Sequence, residues 1–308
     1  MGVGLGVLEG KVCLVTGGGR GIGREVVLAM AKAGAALVVN DLGASLGGEG
    51  HDLAPAQAVA KEIAALGGKA AANTDSVTDP AGARRMVAQA VESFGRLDAV
   101  VNVAGILRDA MFHKMEEAQW RAVIDVHLNG SYFVSRAAVE QFRKQQAGSF
   151  VHFTSTSGLV GNIGQANYAA AKMGIVGLSR SIALEGQRYG VRSNCVSPFA
   201  WTRMVEAIPV QSEAQLRAFE KFRANATAAQ VAPLVVYLAS EAAKAVSGQV
   251  FGVRGNEIYL MSQPRPIRTL HRGDGWTPER LAETLVPALG RELYPLEGTN
   301  EYFAWDPI

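Results

Sequence analysis

The stretch Val12-Cys13-Leu14-Val15-Thr16-Gly17-Gly18-Gly19-Arg20-Gly21-Ile22-Gly23 decides the fold. Val12–Thr16 is a short apolar run of the kind that forms a buried strand, and Gly23–Ala33 carries helical apolar spacing. A strand that turns through glycines straight into a helix leaves helix N–H groups and the positive dipole end facing a crevice. A pyrophosphate fits there. Glycine clusters alone often mark ordinary turns; the position between first strand and first helix gives this one its weight.

The alternation continues outward. Leu37–Asp41, Ala70–Asn73, Ala99–Asn102, Ser149–Thr154, Ser193–Val196 and, late in the chain, Gln249–Val253 read as further strands. They are apolar throughout rather than every second residue, as expected where helices cover both faces of a sheet. Ala56–Leu66, Pro80–Phe94, Glu117–Gln145 and Ala166–Tyr189 read as the intervening helices. Crossovers of that length require a parallel, doubly wound α/β sheet, a Rossmann fold. Two segments depart from the rhythm. Gly43–Leu53 is glycine-rich and polar and reads as a surface loop, and residues 201–226 read as a helical insertion. The expected organisation is one α/β domain over residues 1–260 and an extension over 261–308, rich in proline and mixed charge, packed on the core.

Composition limits the function classes. Of 308 residues, 48% are hydrophobic and 19% charged, a balance that supports a full core and excludes a disordered chain. The 35 glycines follow no period, which excludes collagen. Thirty basic and 28 acidic residues without a basic block give no footprint for a nucleic-acid partner. Cys13 and Cys195 lie in apolar runs and are expected as buried free thiols in a reducing compartment. The opening MGVGLGVLEGKV is too short and interrupted for a signal peptide or membrane span, and Asp306-Pro307-Ile308 is no peroxisomal tripeptide. A cytoplasmic protein without a membrane partner is expected. Five histidines and two cysteines without ligand spacing give no metal site.

The chemistry concentrates at the carboxyl ends of the strands. Asp41, 18 residues beyond Gly23, ends the second strand, where an acidic side chain binds both adenosine ribose hydroxyls and repels a 2′-phosphate. NAD is therefore expected over NADP, although Arg20 could pair with a 2′-phosphate, and Asp41 could instead be a turn residue. Ser155 follows the fifth strand; Tyr168 comes thirteen residues later and Lys172 four beyond that. The i,i+4 spacing puts Tyr168 and Lys172 on one helix face. A phenol is a poor base near neutrality, and an adjacent ammonium is expected to lower its pKa. The Ser155 hydroxyl can hold a substrate oxygen as charge develops on it.

In this order, the glycine loop, Asn102-Val103-Ala104-Gly105, Ser155 and Tyr168-x-x-x-Lys172 resemble the short-chain dehydrogenase/reductase family over about residues 10–255. The resemblance implies hydride transfer between a nicotinamide and a secondary alcohol or ketone. Tyr168 would move the proton, Lys172 would also bind the nicotinamide ribose, and Ser155 would position the carbonyl. Cofactor contacts would fall on Gly17, Arg20, Gly21, Ile22, Gly23, Asp41, Asp75, Ser76, Asn102, Ala104, Gly105, Tyr168, Lys172, Pro198 and Thr202. Besides His127, three positions differ from the family pattern: Val103 replaces an asparagine, Phe199 follows Pro198 where glycine is usual, and Thr202 comes one residue early. His127 stands where the family has a further catalytic asparagine, either in that relay role or simply packed. Asn40-Asp41-Leu42-Gly43, Val126-His127-Leu128 and Gly161-Asn162-Ile163-Gly164-Gln165-Ala166-Asn167-Tyr168 resemble one branch in particular. That branch is the (3R)-hydroxyacyl-CoA dehydrogenase unit of the peroxisomal multifunctional enzyme type 2, with its stand-alone bacterial relatives.

The branch implies a CoA thioester or similar bulky hydroxyacyl or steroid-type substrate, and the family implies a homodimer or homotetramer. Met111, Phe112, Trp201, Met204, Phe219 and Phe222 are expected mainly in the core, a few lining an apolar acyl site. Arg265, Arg268 and Arg272 read as a solvated basic face or as CoA-phosphate ligands. Two other functions stay open: a 3-oxoacyl carrier-protein reductase using NADPH, and a non-catalytic dinucleotide-binding scaffold. The latter has no need of Ser155, Tyr168 and Lys172 together.

Overall fold

A computed structural model describes residues 6–206 and 212–305, without the side chains of Arg203, Met204, Ala214 and Gln215. The expectations for Met204 and for both chain ends lie outside the described residues. Seven strands are parallel: β1 (Val12–Thr16), β2 (Ala36–Asn40), β3 (Lys69–Asn73), β4 (Ala99–Asn102), β5 (Gly148–Phe153), β6 (Val191–Phe199) and β7 (Val250–Arg254). β8 (Glu257–Leu260) adds antiparallel to β7, so the sheet order is β3-β2-β1-β4-β5-β6-β7-β8. The direction of winding reverses between β1 and β4, which opens a crevice above their carboxyl ends.

Alternate residues of each strand feed two cores. Cys13, Val15, Val39 and Val101 face α1 (Gly21–Lys32), α2 (Ala54–Ala65) and α10 (Ala232–Ala239), where Val26, Met30, Ile63 and Leu238 are wholly buried. Leu14, Val38, Val100 and Phe150 face α3 (Pro80–Phe94) and α5 (Gly130–Gln145), against Met86 and Phe142. Each such side chain contributes about 1.5–3 kcal/mol of transfer free energy. α4 (Glu117–Ile124) joins α5 through a single π turn, Asp125–Asn129, so the expected 117–145 helix is continuous but locally widened at His127. α6 (Thr156–Leu159) and α7 (Ala166–Gly186) follow β5. α8 (Arg203–Glu206) and α9 (Glu213–Asn225) form the expected insertion, with Trp201 packed against Phe219 and Phe222.

Two outcomes differ from the sequence reading. β8 was not anticipated; Gly255 and Asn256, with Gly255 at φ +59, form the two-residue turn that makes it a hairpin with β7. Met111 and Phe112 are 49% and 77% exposed, so they are not core residues. The extension over 261–308 meets the core at Met261 and Gln263, at Thr299 in α12 (Thr299–Tyr302) and at Phe303 and Trp305, whereas α11 (Pro278–Leu289) buries no residue. Cys13 and Cys195 are free and buried, and burial pushes both thiols up. No helix among the described residues is long and apolar enough to cross a membrane.

Candidate active site

The crevice encloses about 370 Å³ and is lined from both halves of the sheet. Its floor is the β1–α1 turn. Gly17, at φ +67, passes so close to the next loop that a Cβ there would meet the Ala104 backbone at 2.9 Å. Thr16 pins the same junction, its hydroxyl accepting from the N–H groups of Val103 and Ala104 at 3.2 and 3.3 Å. Helix α1 begins without a side-chain cap, and Gly21, Ile22 and Gly23 line the crevice at its first turn. Free N–H groups at a dipole end, on a glycine cradle, fit a dinucleotide diphosphate.

At the β2 end, the Asp41 carboxylate accepts the N–H groups of Gly19 at 2.9 Å and Gly43 at 2.8 Å. Arg20 approaches it to 3.8 Å and also donates to the carbonyl of Ala44. Asp41 thus shapes the turn while lining the crevice. The loop that follows is not a detached surface loop. The Leu46 carbonyl accepts Leu107 N–H at 3.1 Å and the Gly47 carbonyl accepts Arg108 Nε at 2.8 Å. The glycine-rich segment therefore arches over the crevice, which Ser45, Leu46 and Gly48 help to line.

Ser155, Tyr168 and Lys172 converge on the opposite wall. Ser155 caps α6, its hydroxyl accepting Ser157 N–H at 3.2 Å. Asn167, fully buried, accepts Tyr168 N–H at 2.7 Å and donates to the Arg108 carbonyl at 2.9 Å, which fixes the start of α7. Lys172 is 4% exposed; its Nζ donates to the Phe153 carbonyl at 2.7 Å and lies 5.4 Å from the centre of the Tyr168 ring. Burial dominates both groups. It pushes Lys172 down to about 7 and the Tyr168 phenol up to about 12, against a hydrogen bond with Ser155 that pulls the phenol lower. The expected lowering of Tyr168 by the neighbouring amine is therefore not seen: desolvation dominates, and the Asp109 charge adds to it.

His127, 2% exposed, sits on the π turn with Nε2 at 3.0 Å from the Ile106 N–H and 2.8 Å from the Ile106 carbonyl. Burial, and then Lys172, hold its pKa well below the usual imidazole value, so it is neutral. A Cβ at Gly105 would lie 2.3 Å from His127 Cε1, so only glycine fits beside this ring.

Every predicted contact residue lines the crevice except Asn102. Asp75 and Ser76 are there, with Asp75 ion-paired to Arg85 and Ser76 bonded to Thr78; Ala104, Gly105, Pro198 and Thr202 complete the set. The Asn102 amide turns to the other side, donating to Ser135 at 3.2 Å and lying 3.2 Å from His152 Nδ1. Gln165, not singled out from the sequence, links Ser157 at 2.8 Å with Asp109 at 2.7 Å beside Tyr168. Its place three residues before Tyr168 was the available signal. No group of three potential metal ligands occurs among the described residues.

The geometry agrees with the comparisons. The sequence pattern of the family described as short chain dehydrogenase matches residues 11–212. The chain belongs to the short-chain dehydrogenase family. This short-chain dehydrogenase is an oxidoreductase acting on CH–OH groups, in a family that binds NAD(P). It is 45% identical over 251 residues to a Mycobacterium tuberculosis protein named as a short-chain type dehydrogenase/reductase, covering 82% of this chain and 84% of that one. The peroxisomal multifunctional enzyme type 2 of Mus musculus is 39% identical over 277 residues, 89% of this chain; the chain spans only 36% of that enzyme. A hydroxyacyl-CoA dehydrogenase of Mycobacterium tuberculosis is 39% identical over 295 residues, 90% of this chain and 88% of that one. The crystal structure of a short chain dehydrogenase from Mycobacterium avium superposes with a TM-score of 0.81 at 37% identity, covering 94% and 98% of the two chains.

Proposed function

We propose that this dehydrogenase uses NAD(H) to interconvert a secondary alcohol and a ketone, with a 3-hydroxyacyl-CoA or similarly bulky hydroxyacyl or steroid-type substrate. One observation carries the reading: the Ser155 and Tyr168 hydroxyls and the buried Lys172 amine share one crevice with the uncapped start of α1. Bound there, the nicotinamide would supply the hydride acceptor or donor. The chain's own part is proton handling. Tyr168, protonated at neutral pH, is poised to donate to a carbonyl oxygen held by Ser155. In the reverse direction Tyr168 must first lose its proton toward Lys172 and solvent; the phenolate then takes the alcohol proton, and a protonated Lys172 favours that phenolate. His127 holds the Gly105–Ile106 backbone against which Tyr168 rests.

The thioester substrate is supported by the relatives named above, and the preference for NAD by the Asp41 charge in the crevice. A second reading, reduction of a carrier-protein 3-oxoacyl group with NADPH, is favoured by Arg20, which shares the Asp41 corner. Exposed Leu281, Leu285 and Val286 on α11 support assembly as a homodimer or homotetramer. The deciding experiment is a screen of 3-hydroxyacyl-CoA thioesters and free steroid alcohols with NAD and with NADP. Turnover of thioesters with NAD, lowered about 10²- to 10⁴-fold in Tyr168→Phe, is expected. Equal turnover in that variant would remove Tyr168 from the mechanism.

A further inference from the structure

The extension ties together two segments that each carry crevice-lining residues, 155–165 and 198–200. At one end, the N–H and the hydroxyl of Thr299 both donate to the carbonyl of Gly161, each at 2.9 Å. Gly161 lies between Ser155 and Tyr168 in sequence, and its φ of +138 is a conformation that glycine adopts readily. At the other end, Phe303 is 7% exposed and packs on Phe199, Trp305 and Tyr259 at ring separations of 4.8, 5.3 and 5.7 Å. Phe199 ends β6 between Pro198 and Ala200, both of which line the crevice. The buried guanidinium of Arg254 donates to the Trp305 carbonyl and faces the rings of Phe199 and Trp305 at 5.9 and 5.6 Å. Two anchors about one turn of chain apart thus hold two segments whose neighbouring residues, Ser157 and Gln165 on one and Pro198 and Ala200 on the other, line one crevice.

We propose that residues 298–305 act as a strap whose Thr299 and Phe303 are positioning residues: they set the spacing between the Ser155–Tyr168 loop and the Pro198–Ala200 wall. The strap thereby governs which alcohols reach the Tyr168 hydroxyl. This rests on reading Ser155 and Tyr168 as the reaction centre. A staple for stability alone would be indifferent to where it attached. Here both attachments fall on segments that bound the substrate side, while the glycine cradle and the Asp41 corner are untouched.

The test uses the full chain with Thr299→Val, Thr299→Ser and Phe303→Ala. Hydrogen–deuterium exchange is followed at residues 158–165 and 198–202, alongside kcat, KM and NAD affinity for a short and a bulky secondary alcohol. Thr299→Val is expected to speed exchange at 158–165 and to lower kcat/KM for the bulky alcohol about fivefold, the effect of roughly one hydrogen bond. Thr299→Ser restores both. Phe303→Ala is expected to speed exchange in both segments and to cost up to about 10²-fold in kcat/KM for the same alcohol. NAD affinity stays within twofold throughout. Unchanged exchange at 158–165 in Thr299→Val, or altered exchange with kcat and KM unchanged, overturns the proposal. If Phe303→Ala fails to fold, Thr299→Val alone decides. If the wild-type protein turns over no alcohol, the functional reading falls, and the exchange data still decide the strap.

Discussion

His127 stands edge-on to the Tyr168 ring, with centroids 5.1 Å apart and planes at 89°. The contact is the edge-to-face arrangement that aromatic rings favour, worth about 0.5–1.5 kcal/mol. The same imidazole touches both polar groups of Ile106, so one side chain fixes the backbone below the site and the ring above it.

His127→Ala should therefore lower kcat about 10- to 100-fold by freeing Tyr168, with the KM for NAD within threefold of the wild-type value. His127→Asn, which keeps a polar group near Ile106, should recover part of the loss. Steady-state kinetics with NAD and an oxidisable alcohol measure both. A wild-type kcat in His127→Ala would make this histidine packing only.

Lys172 gives a pH signature. Its amine has an ordinary pKa of 10.5 and is held at about 7 by burial, so between those values the unfolded chain binds a proton that the native protein refuses. Stability from this group is fully present above pH 10.5 and is lost as pH falls toward 7. Lys172→Met should melt about 5 °C above the wild type at pH 7, converge with it near pH 10.5, and lose at least 10²-fold in turnover. Melting curves across that range check the sign; a variant less stable at pH 7 would show that the amine stabilises the fold.

Asp41→Asn removes the charge of the β2 corner and keeps one of the two oxygens that accept the Gly19 and Gly43 N–H groups. The ratio of kcat/KM for NAD over NADP should fall at least tenfold, because a 2′-phosphate no longer meets a carboxylate and Arg20 is left unopposed. Parallel assays with the two cofactors measure this. An unchanged ratio would mean that Asp41 serves the Gly19 and Gly43 turn alone.

Arg108→Ala removes the side-chain half of the bond that holds the glycine-rich loop over the crevice. Release of NADH should speed up about tenfold, the scale of one hydrogen bond from a charged donor. Stopped-flow displacement monitored by NADH fluorescence reads it directly, and a wild-type release rate would show that the loop does not retain the cofactor.

Much of this was legible because the signals are local. Seven parallel strands announce themselves as unbroken apolar runs, since both sheet faces are covered, and Tyr168 and Lys172 share a face by helix spacing alone. What escaped depends on three-dimensional surroundings. The Gly255-Asn256 turn was a readable hairpin cue, masked by the polar opening of the strand after it at Glu257. The direction of Asn102 follows from strand alternation: Val101 faces α1 and α10, so the next side chain must point toward Ser135 and His152. Backbone carbonyls at Leu46 and Gly47 hold the glycine-rich loop down, and no side-chain composition records that. For Tyr168 the neighbouring amine could be read from the spacing, but the withdrawal from water that raises the phenol could not.

The reversal at β8 has a practical consequence for handling the protein. The chain returns to the amino edge of the sheet at Leu260, yet Trp305 ends beside Arg254 at the carboxyl edge, where substrate would enter. Leu8 and Lys11, just ahead of β1, lie at the far edge. A bulky label attached at Trp305 would therefore load the entrance itself, whereas one attached at Lys11 would leave the doorway clear.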